Sequence, residues 1–306
     1  MDRQYKELLQ HILDSNHVDQ IRSDRTGVGT LSVFGYQMRF DLSEGFPAQT
    51  TKKLAWKSTV SELLWFLEGS TDERRLAELT FCKDRVDLKN KTTIWSANAD
   101  KQAKELGYRN DHQLKYLGPV YGEQWRKFVG YNQRTNKIDQ VDQIKTIIDQ
   151  IKNDPKSRRI ILNSWNAVDI PTMSLPPCHV MSQFYVKDGK LSCLMTQRSC
   201  DVFLGLPFNV ASYALLTHML ARHCALDVGE LIISLGDAHI YSNHIDQVRE
   251  VLDREEFELP TLMIDADFDL DVTLENYWGC FELDTNKMFT LKNYKHHGAI
   301  KADMAV

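Results

Sequence analysis

Apolar residues return at helical spacing from the start of the chain. Within residues 3–15, Tyr5, Leu8, Leu9 and Ile12 share one face, which predicts an amphipathic helix. A glycine-bearing turn, RTGVGT at 25–30, leads into LSVFGYQMRF, whose alternation predicts a strand over 31–40. Residues 56–68 are apolar nearly all round, so a buried helix is expected there. Val141, Ile144, Ile147, Ile148 and Ile151 form one stripe of a helix over 141–152, stopped by Asp154-Pro155. Arg159 to Trp165 reads as a strand. Strands over 180–187 and 190–197 meet at Asp188-Gly189, a strong hairpin signal. A long helix is expected from Asn209 to Leu226, and a strand over 230–235. No repeat, low-complexity tract or linker divides the chain, and the polar run from Gly130 to Gln140 reads as a surface excursion. Helices and strands do not alternate strictly. The expected fold class is therefore α+β, one domain over 1–306 with a mixed or antiparallel sheet packed with helices.

Charge narrows the function classes. Lys and Arg total 37 against 42 for Asp and Glu, a net −5, which argues against a generally basic nucleic-acid-coating protein. No run approaches the roughly 18 apolar residues of a membrane span. The opening MDRQYKELLQ is charged, unlike the apolar core of a signal peptide, so a cytoplasmic location is expected. The cysteines, at 82, 178, 193, 200, 224 and 280, include no C-x-x-C pair and are expected to be reduced.

Several suggestive patterns fail. Gly27-Val28-Gly29 begins a dinucleotide fingerprint, but Ser32 stands at its third glycine and a strand follows. Asp265, Asp267, Asp269 and Asp271 mimic a calcium loop, yet Leu270 and Asn276 replace its central Gly and closing Glu. An exposed strand with one acidic face is the simpler expectation. His218 and His223 lack the H-E-x-x-H spacing, and no metal is predicted.

The informative segment is LPPCHVMSQFYV at 175–186. Two prolines hold the backbone ahead of Cys178 away from helix, and His179 follows. Arg198, beyond the hairpin, can face the same site. A guanidinium near a thiol lowers its pKa, which points to Cys178 as a nucleophile. In QRSCDVFLGLPFNVASYA at 197–214, Arg198 and Ser199 suit an anion. Asp201 offers only acceptors, whereas the Asn209 amide suits an imide edge. Asn209 also fits the N-cap of its helix. Arg158, Arg159 and Arg25 would add charge for a phosphate. Glu62, inside the apolar helix, is either a satisfied core ion pair or an acid/base of raised pKa.

These segments resemble thymidylate synthase along nearly the whole chain. The resemblance is carried by RTGVGT (25–30), TTKK (50–53), SELLWFLEGST (61–71), LGPVYGEQWR (117–126), SRRII (157–161), LPPCH (175–179), QRSCDVFLGLPFNVASYA (197–214), GDAHIYSNH (236–244) and IKADMAV (300–306), in that order. It implies reductive methylation of dUMP at C5 by 5,10-methylenetetrahydrofolate, giving dTMP and dihydrofolate. Cys178 would add to C6 and activate C5. Asn209, with the network around His179, would steady charge on the pyrimidine carbonyl. Tyr121 would assist removal of the C5 proton, Glu62 would organise proton-carrying waters, and Trp95 would shield the intermediate.

The same resemblance assigns binding roles. Arg25, Arg198 and Ser199 would hold the phosphate, joined by Arg158 and Arg159 from the partner subunit of a homodimer. Gln197, Cys200 and Ile240 fall within the substrate-binding segments, and His239 and Tyr241 would meet the ribose. Asp201 would meet the folate pterin, with Ile94, Leu204, Gly205 and Phe208 around it. Lys52 would meet the folate tail, and Ala305-Val306 would close the site. The chain departs from the usual pattern at Ala55, at Ser96-Ala97-Asn98 after Trp95, at Tyr116, at Thr196 and in the tail HHGAIK, and 265–290 looks enlarged. The alternative is a dUMP hydroxymethylase, in which water captures the exocyclic methylene; intact Trp95 and the terminal MAV favour hydride transfer. A dCMP-specific relative fits Asn209 less well. A Cys–His hydrolase is disfavoured because neighbours on a strand point to opposite faces. RNA binding, shown by some synthases, has no basic stripe to support it.

Overall fold

A computed structural model of the chain describes residues 1–16, 21–275 and 285–305. Helix α1 (Asp2–Asp14) buries Tyr5, Leu8, Leu9 and Ile12, the face its periodicity predicts. It packs on strand β1 (Thr30–Asp41). Helix α2 (Trp56–Leu67) is buried continuously from Thr59 onward, as expected of a helix apolar all round. Helix α3 (Glu73–Phe81) starts at Asp72, whose carboxylate accepts from the Arg74 amide as an N-cap. Two short helices, α4 (Ser96–Asp100) and α5 (Gln102–Glu105), precede α6 (Tyr121–Arg126).

The polar excursion is an exposed hairpin of β2 (Phe128–Asn132) and β3 (Lys137–Val141). Helix α7 (Gln143–Asn153) follows and buries Ile144, Ile147, Ile148 and Ile151. Val141 does not join that stripe: it closes β3 and is exposed, because Asp142 caps α7 and fixes its start. The strand expected from Arg159 to Trp165 shrinks to β4 (Ile161–Asn163). Strands β5 (His179–Lys187) and β6 (Lys190–Asp201) form the predicted hairpin. Asp188 and Gly189 both take positive φ, at 50° and 74°, the geometry a two-residue turn between twisted strands requires.

Helix α8 (Leu206–His223) begins three residues before the predicted Asn209. Pro207 explains the shift, since a first-turn proline forfeits only an amide that has no helical acceptor. Asn209 is therefore not the cap. Strand β7 (Asp227–Tyr241) is much longer than expected and precedes α9 (Ile245–Asp253) and β8 (Thr261–Ile264). The aspartate run after β8 is no strand. Asp265 and Asp269 accept from the amides two residues on, turning the chain into α10 (Leu270–Glu275). Cys280 and part of the enlarged 265–290 segment lie outside the described residues. Helix α11 (Thr285–Met288) and β9 (Phe289–Lys292), paired with β8, complete the order.

The main sheet runs β1-β7-β6-β5-β4. It is mixed: β6 and β7 are parallel, and the other neighbours are antiparallel. Helix α8 makes the return between the parallel pair and packs on both strands. One face carries the core, including Leu191, Cys193, Met195, Leu231, Ile233 and Leu235. The opposite face presents a row of paired positions, Ile161, Gln183, Leu194, Ile232 and Arg39, together with exposed Tyr185. Among the described residues, no helix is long and apolar enough to cross a membrane.

Candidate active site

Arg198, near the end of β6, ties the Cys178 loop in place. Its amide donates to the Cys178 carbonyl, and its Nε and Nη2 donate to the carbonyls of Pro177 and Pro176, each at 2.9 Å. Prolines have no N–H of their own, but their carbonyls remain acceptors that a guanidinium can gather. The same Nη2 lies 4.0 Å from Cys178 Sγ, and the guanidinium sits over Trp165 at 5.5 Å. The expected lowering of the thiol pKa is not what results. Burial pushes the Cys178 thiol up, and the Arg198 charge offsets only part of this. At neutral pH this side chain therefore rests as the thiol.

From α6, the Tyr121 hydroxyl accepts from the amides of Cys178 at 2.7 Å and His179 at 3.3 Å. With its oxygen engaged by two donors, it still has its own proton to donate. Burial holds that phenol well above its usual pKa. His179 is wedged between the rings of Tyr121 and Tyr213, at 5.3 and 5.2 Å. Burial lowers its pKa to about 4, so the ring is neutral at pH 7. Asn209 lies close enough to offset a little of this, but outside hydrogen-bonding geometry, and Nδ1 has no partner among the described residues. Asn209 instead donates to Gln197 Oε1 at 3.2 Å, while Gln197 donates to the Ser199 carbonyl.

Glu62 projects from α2 with 6% exposure and takes a 2.7 Å hydrogen bond from the Trp95 indole. Burial raises its pKa to about 7, with the indole working in the opposite direction. No cation pairs with it among the described residues, so the core ion-pair reading of Glu62 falls away. The Trp95 ring lies 6.0 Å from Tyr121, which connects Glu62 and Trp95 to the residue that holds the Cys178 amide.

Asp201 Oδ1 accepts from the amides of Phe203 and Leu204, which shapes the turn into α8 and leaves Oδ2 without a partner among the described residues. Leu204, Gly205 and Phe208 are half-buried around it, and Ile94 is 47% exposed. A free carboxylate oxygen beside half-exposed apolar surface fits a flat heterocycle bearing N–H donors. Lys52 turns inward. Its Nζ donates to the Phe203 carbonyl at 2.7 Å and stands 3.9 Å from the Phe203 ring centroid, and burial lowers its pKa to about 8. Ala305 is half-buried, and Val306 lies outside the described residues.

The parallel register sets Ser199 beside Asp237 and Asp201 beside His239. His239 Nδ1 bonds Asp237 Oδ1 at 2.9 Å, and Asp237 Oδ2 takes a hydrogen bond from Arg22 at 3.1 Å. Asp237, whose pKa is lowered by its bond to His239, escaped the sequence reading. Its signal was the two-residue spacing that puts it on His239's side of the strand. The Tyr241 ring packs edge-on against His239 at 5.1 Å, within electrostatic reach of Arg25 and Cys178. The side chains of Cys200 and Ile240 are wholly buried, so only their backbones can face a ligand. Arg25, Arg158 and Arg159 are exposed and carry no ion pair among the described residues. Arg158 and Arg159 precede edge strand β4, apart from the cluster.

One group away from this cluster has metal-like spacing among the described residues: ligand atoms of His223, Asp269 and Asp271 lie within 4.8 Å of one another. The Lys152 ammonium stands 2.8 Å from His223 Nε2, however, where a cation would be repelled.

Two comparisons bear on this arrangement. A family model described as "Thymidylate synthase" matches residues 3–306. The curated thymidylate synthase of Francisella philomiragia subsp. philomiragia is 45% identical, over 99% of this chain and 100% of its own length.

Proposed function

This chain belongs to the thymidylate synthase family, a family of one-carbon methyltransferases, and from that premise we propose how its residues methylate dUMP. The observation that carries the reading is the triple attachment of Arg198 to the Pro176–Cys178 loop, with Nη2 4.0 Å from Sγ. Arg198 and Ser199 hold the phosphate from within the chain, with Arg25 adding charge from its exposed loop. His239, fixed by Asp237 with Nδ1–H as donor, offers Nε2 as an acceptor to the ribose, beside Tyr241. Asn209, its amide aligned by Gln197, pairs with the uracil imide edge. Cys178 loses its proton as the nucleotide binds and adds to C6, which turns C5 into the nucleophile.

Asp201, Ile94, Leu204, Gly205 and Phe208 would hold 5,10-methylenetetrahydrofolate, which supplies the one-carbon unit and the hydride. Trp95 walls off water, Tyr121 assists removal of the C5 proton, and Glu62, poised near neutrality, passes protons through solvent. Arg158 and Arg159 reach the phosphate of a partner subunit. That assignment is supported by their position beside β4 and by the outer face of the sheet, where Leu194 and Ile232 are half-buried and Ile161 and Tyr185 exposed, which suits a homodimer. The chain works as one catalytic domain.

The test is incubation with dUMP and 5,10-methylenetetrahydrofolate, with product mass and dihydrofolate absorbance both followed. Thymidylate and dihydrofolate in equal amounts are expected, and Cys178→Ser abolishes both. Hydroxymethyl product without dihydrofolate overturns the reading. Mixing inactive Cys178→Ser and Arg159→Ala subunits restores part of the activity; failure after confirmed subunit exchange removes the partner-arginine assignment.

A further inference from the structure

At the first turn of α3, not itself assigned to either substrate, lies a buried acid with an unusual set of partners. Glu73 is 0% exposed and its neighbour Arg74 1%. Arg74 donates Nε to Glu73 Oε2 at 2.7 Å and Nη2 to Oε1 at 2.8 Å. Two hydroxyls complete the shell of Oε1, Thr93 at 2.7 Å and Ser96 at 2.6 Å. A buried carboxylate with this many donors is firmly held, and it equally holds what donates to it.

Those hydroxyls flank Ile94 and Trp95, and each bonds in both directions. Thr93 Oγ1 accepts from the Trp95 amide at 3.2 Å, and Ser96 Oγ accepts from the Thr93 amide at 2.9 Å. Each spends its single proton on Glu73, so neither can rotate without losing two bonds. Arg74 extends the hold to the carbonyls of Leu88 and Lys91, both at 3.0 Å. The approach to Trp95, and the turn that carries it, are thus fastened to α3 from below. On its far side Trp95 donates to Glu62.

We propose that Glu73 is a positioning residue: through Thr93 and Ser96 it fixes the Trp95 indole against Glu62, and so decides whether hydride or water reaches the exocyclic methylene. The inference rests on the functional reading above. In that reading Cys178 remains bonded to C6 while the pyrimidine carries a C5 methylene group. Hydride, delivered with both electrons, makes the methyl group; the enolate formed at C5 expels the Cys178 thiolate, and the folate is oxidised to dihydrofolate. If water adds instead, its oxygen bonds the same carbon, its proton passes to solvent, the thiolate leaves in the same way, and no folate is oxidised. A loosened indole admits water to that carbon without touching nucleotide binding.

The test uses full-length enzyme with dUMP and 5,10-methylenetetrahydrofolate, scoring methyl and hydroxymethyl products by mass against dihydrofolate formed. Ser96→Ala is the principal variant, since losing one small hydroxyl leaves the Glu73–Arg74 pair intact. It is expected to keep KM for dUMP within about twofold while kcat falls about tenfold, in the range a sub-ångström displacement produces. A measurable share of hydroxymethyl product appears. The limb of the pH profile due to Glu62 moves upward, because the indole N–H that favours the charged carboxylate is no longer held. Ser96→Thr, which retains a hydroxyl, restores both the partition and the pH limb. Glu73→Gln is expected to give a larger hydroxymethyl share; if it fails to fold, the serine pair still decides the matter. A lower Tm for Ser96→Ala with unchanged partition and pH limb overturns the proposal. No thymidylate from the unaltered enzyme overturns the functional reading, and the inference with it.

Discussion

At Glu62 one environment has opposite effects on stability and chemistry. Burial raises its pKa from 4.5 to about 7, so between those values the native state binds more protons than the unfolded chain. Stability contributed at this site therefore declines as pH rises through that window, by at most about 3 kcal/mol, with relaxation reducing it. Glu62→Gln is expected to be more stable than the parent at pH 8 and about equal at pH 4, as read from urea unfolding at both values. Its kcat falls at least about a hundredfold, the range for losing a positioned acid–base group. Cys178 gives a second residue-scale expectation. Because burial holds the thiol protonated, alkylation by iodoacetamide in the absence of nucleotide is slow at pH 7 and accelerates only toward and above pH 9. Arg198→Ala slows it further by removing a nearby charge that favours the thiolate. Cys178 and Arg198 were legible because two prolines and a two-residue hairpin turn constrain where they lie. Glu73 was not: in sequence, Glu73-Arg74 at the start of a helix looks like any solvated pair, and only tertiary packing reveals the burial.

At the scale of elements, the short link 117–120 determines how the Cys178 loop meets α6. Leu117 donates to the Thr71 carbonyl and accepts from the Ser174 amide, joining the strap after α2 to the segment before the prolines. Gly118 has φ of 81°, and a Cβ there would run into the Thr172 carbonyl. Gly118→Ala thus combines backbone strain with a clash against main chain, costing about 2–4 kcal/mol. The expected signs are a Tm lower by several degrees and a kcat loss larger than the KM change, since Tyr121 and Cys178 shift relative to each other. A variant of unchanged Tm would show that the backbone can absorb the methyl group. Periodicity made α1, α2, α7 and the β5–β6 hairpin readable. It did not locate the start of α8, where Gly205 and Pro207 resemble loop residues until the first turn is seen to tolerate them. Nor did it separate Val141 from the isoleucine stripe, because an edge strand and a helix can share an apolar residue at their junction.

For the whole molecule, the bare outer face of the sheet is the feature with the largest reach. Leu194 and Ile232 are adjacent on its central strands, with Ile161 and Tyr185 exposed toward one edge. Leu194→Lys is expected to convert a dimer to monomer in sedimentation velocity and to abolish turnover, leaving far-ultraviolet dichroism unchanged. A dimer that persists with full activity would place the interface elsewhere. Beyond the β5–β6 hairpin, which strands neighbour one another was not readable in advance, because β1-β7-β6 joins segments far apart in the chain and no local pattern encodes such a choice. That pairing also bears on how the protein is made. β1 is synthesised roughly two hundred residues before its partner β7, so loop closure delays the contact. Until then β1 has both edges unpaired, and even in the finished sheet it stays the outermost strand with Phe34 89% exposed, a template for illicit pairing that folding does not remove.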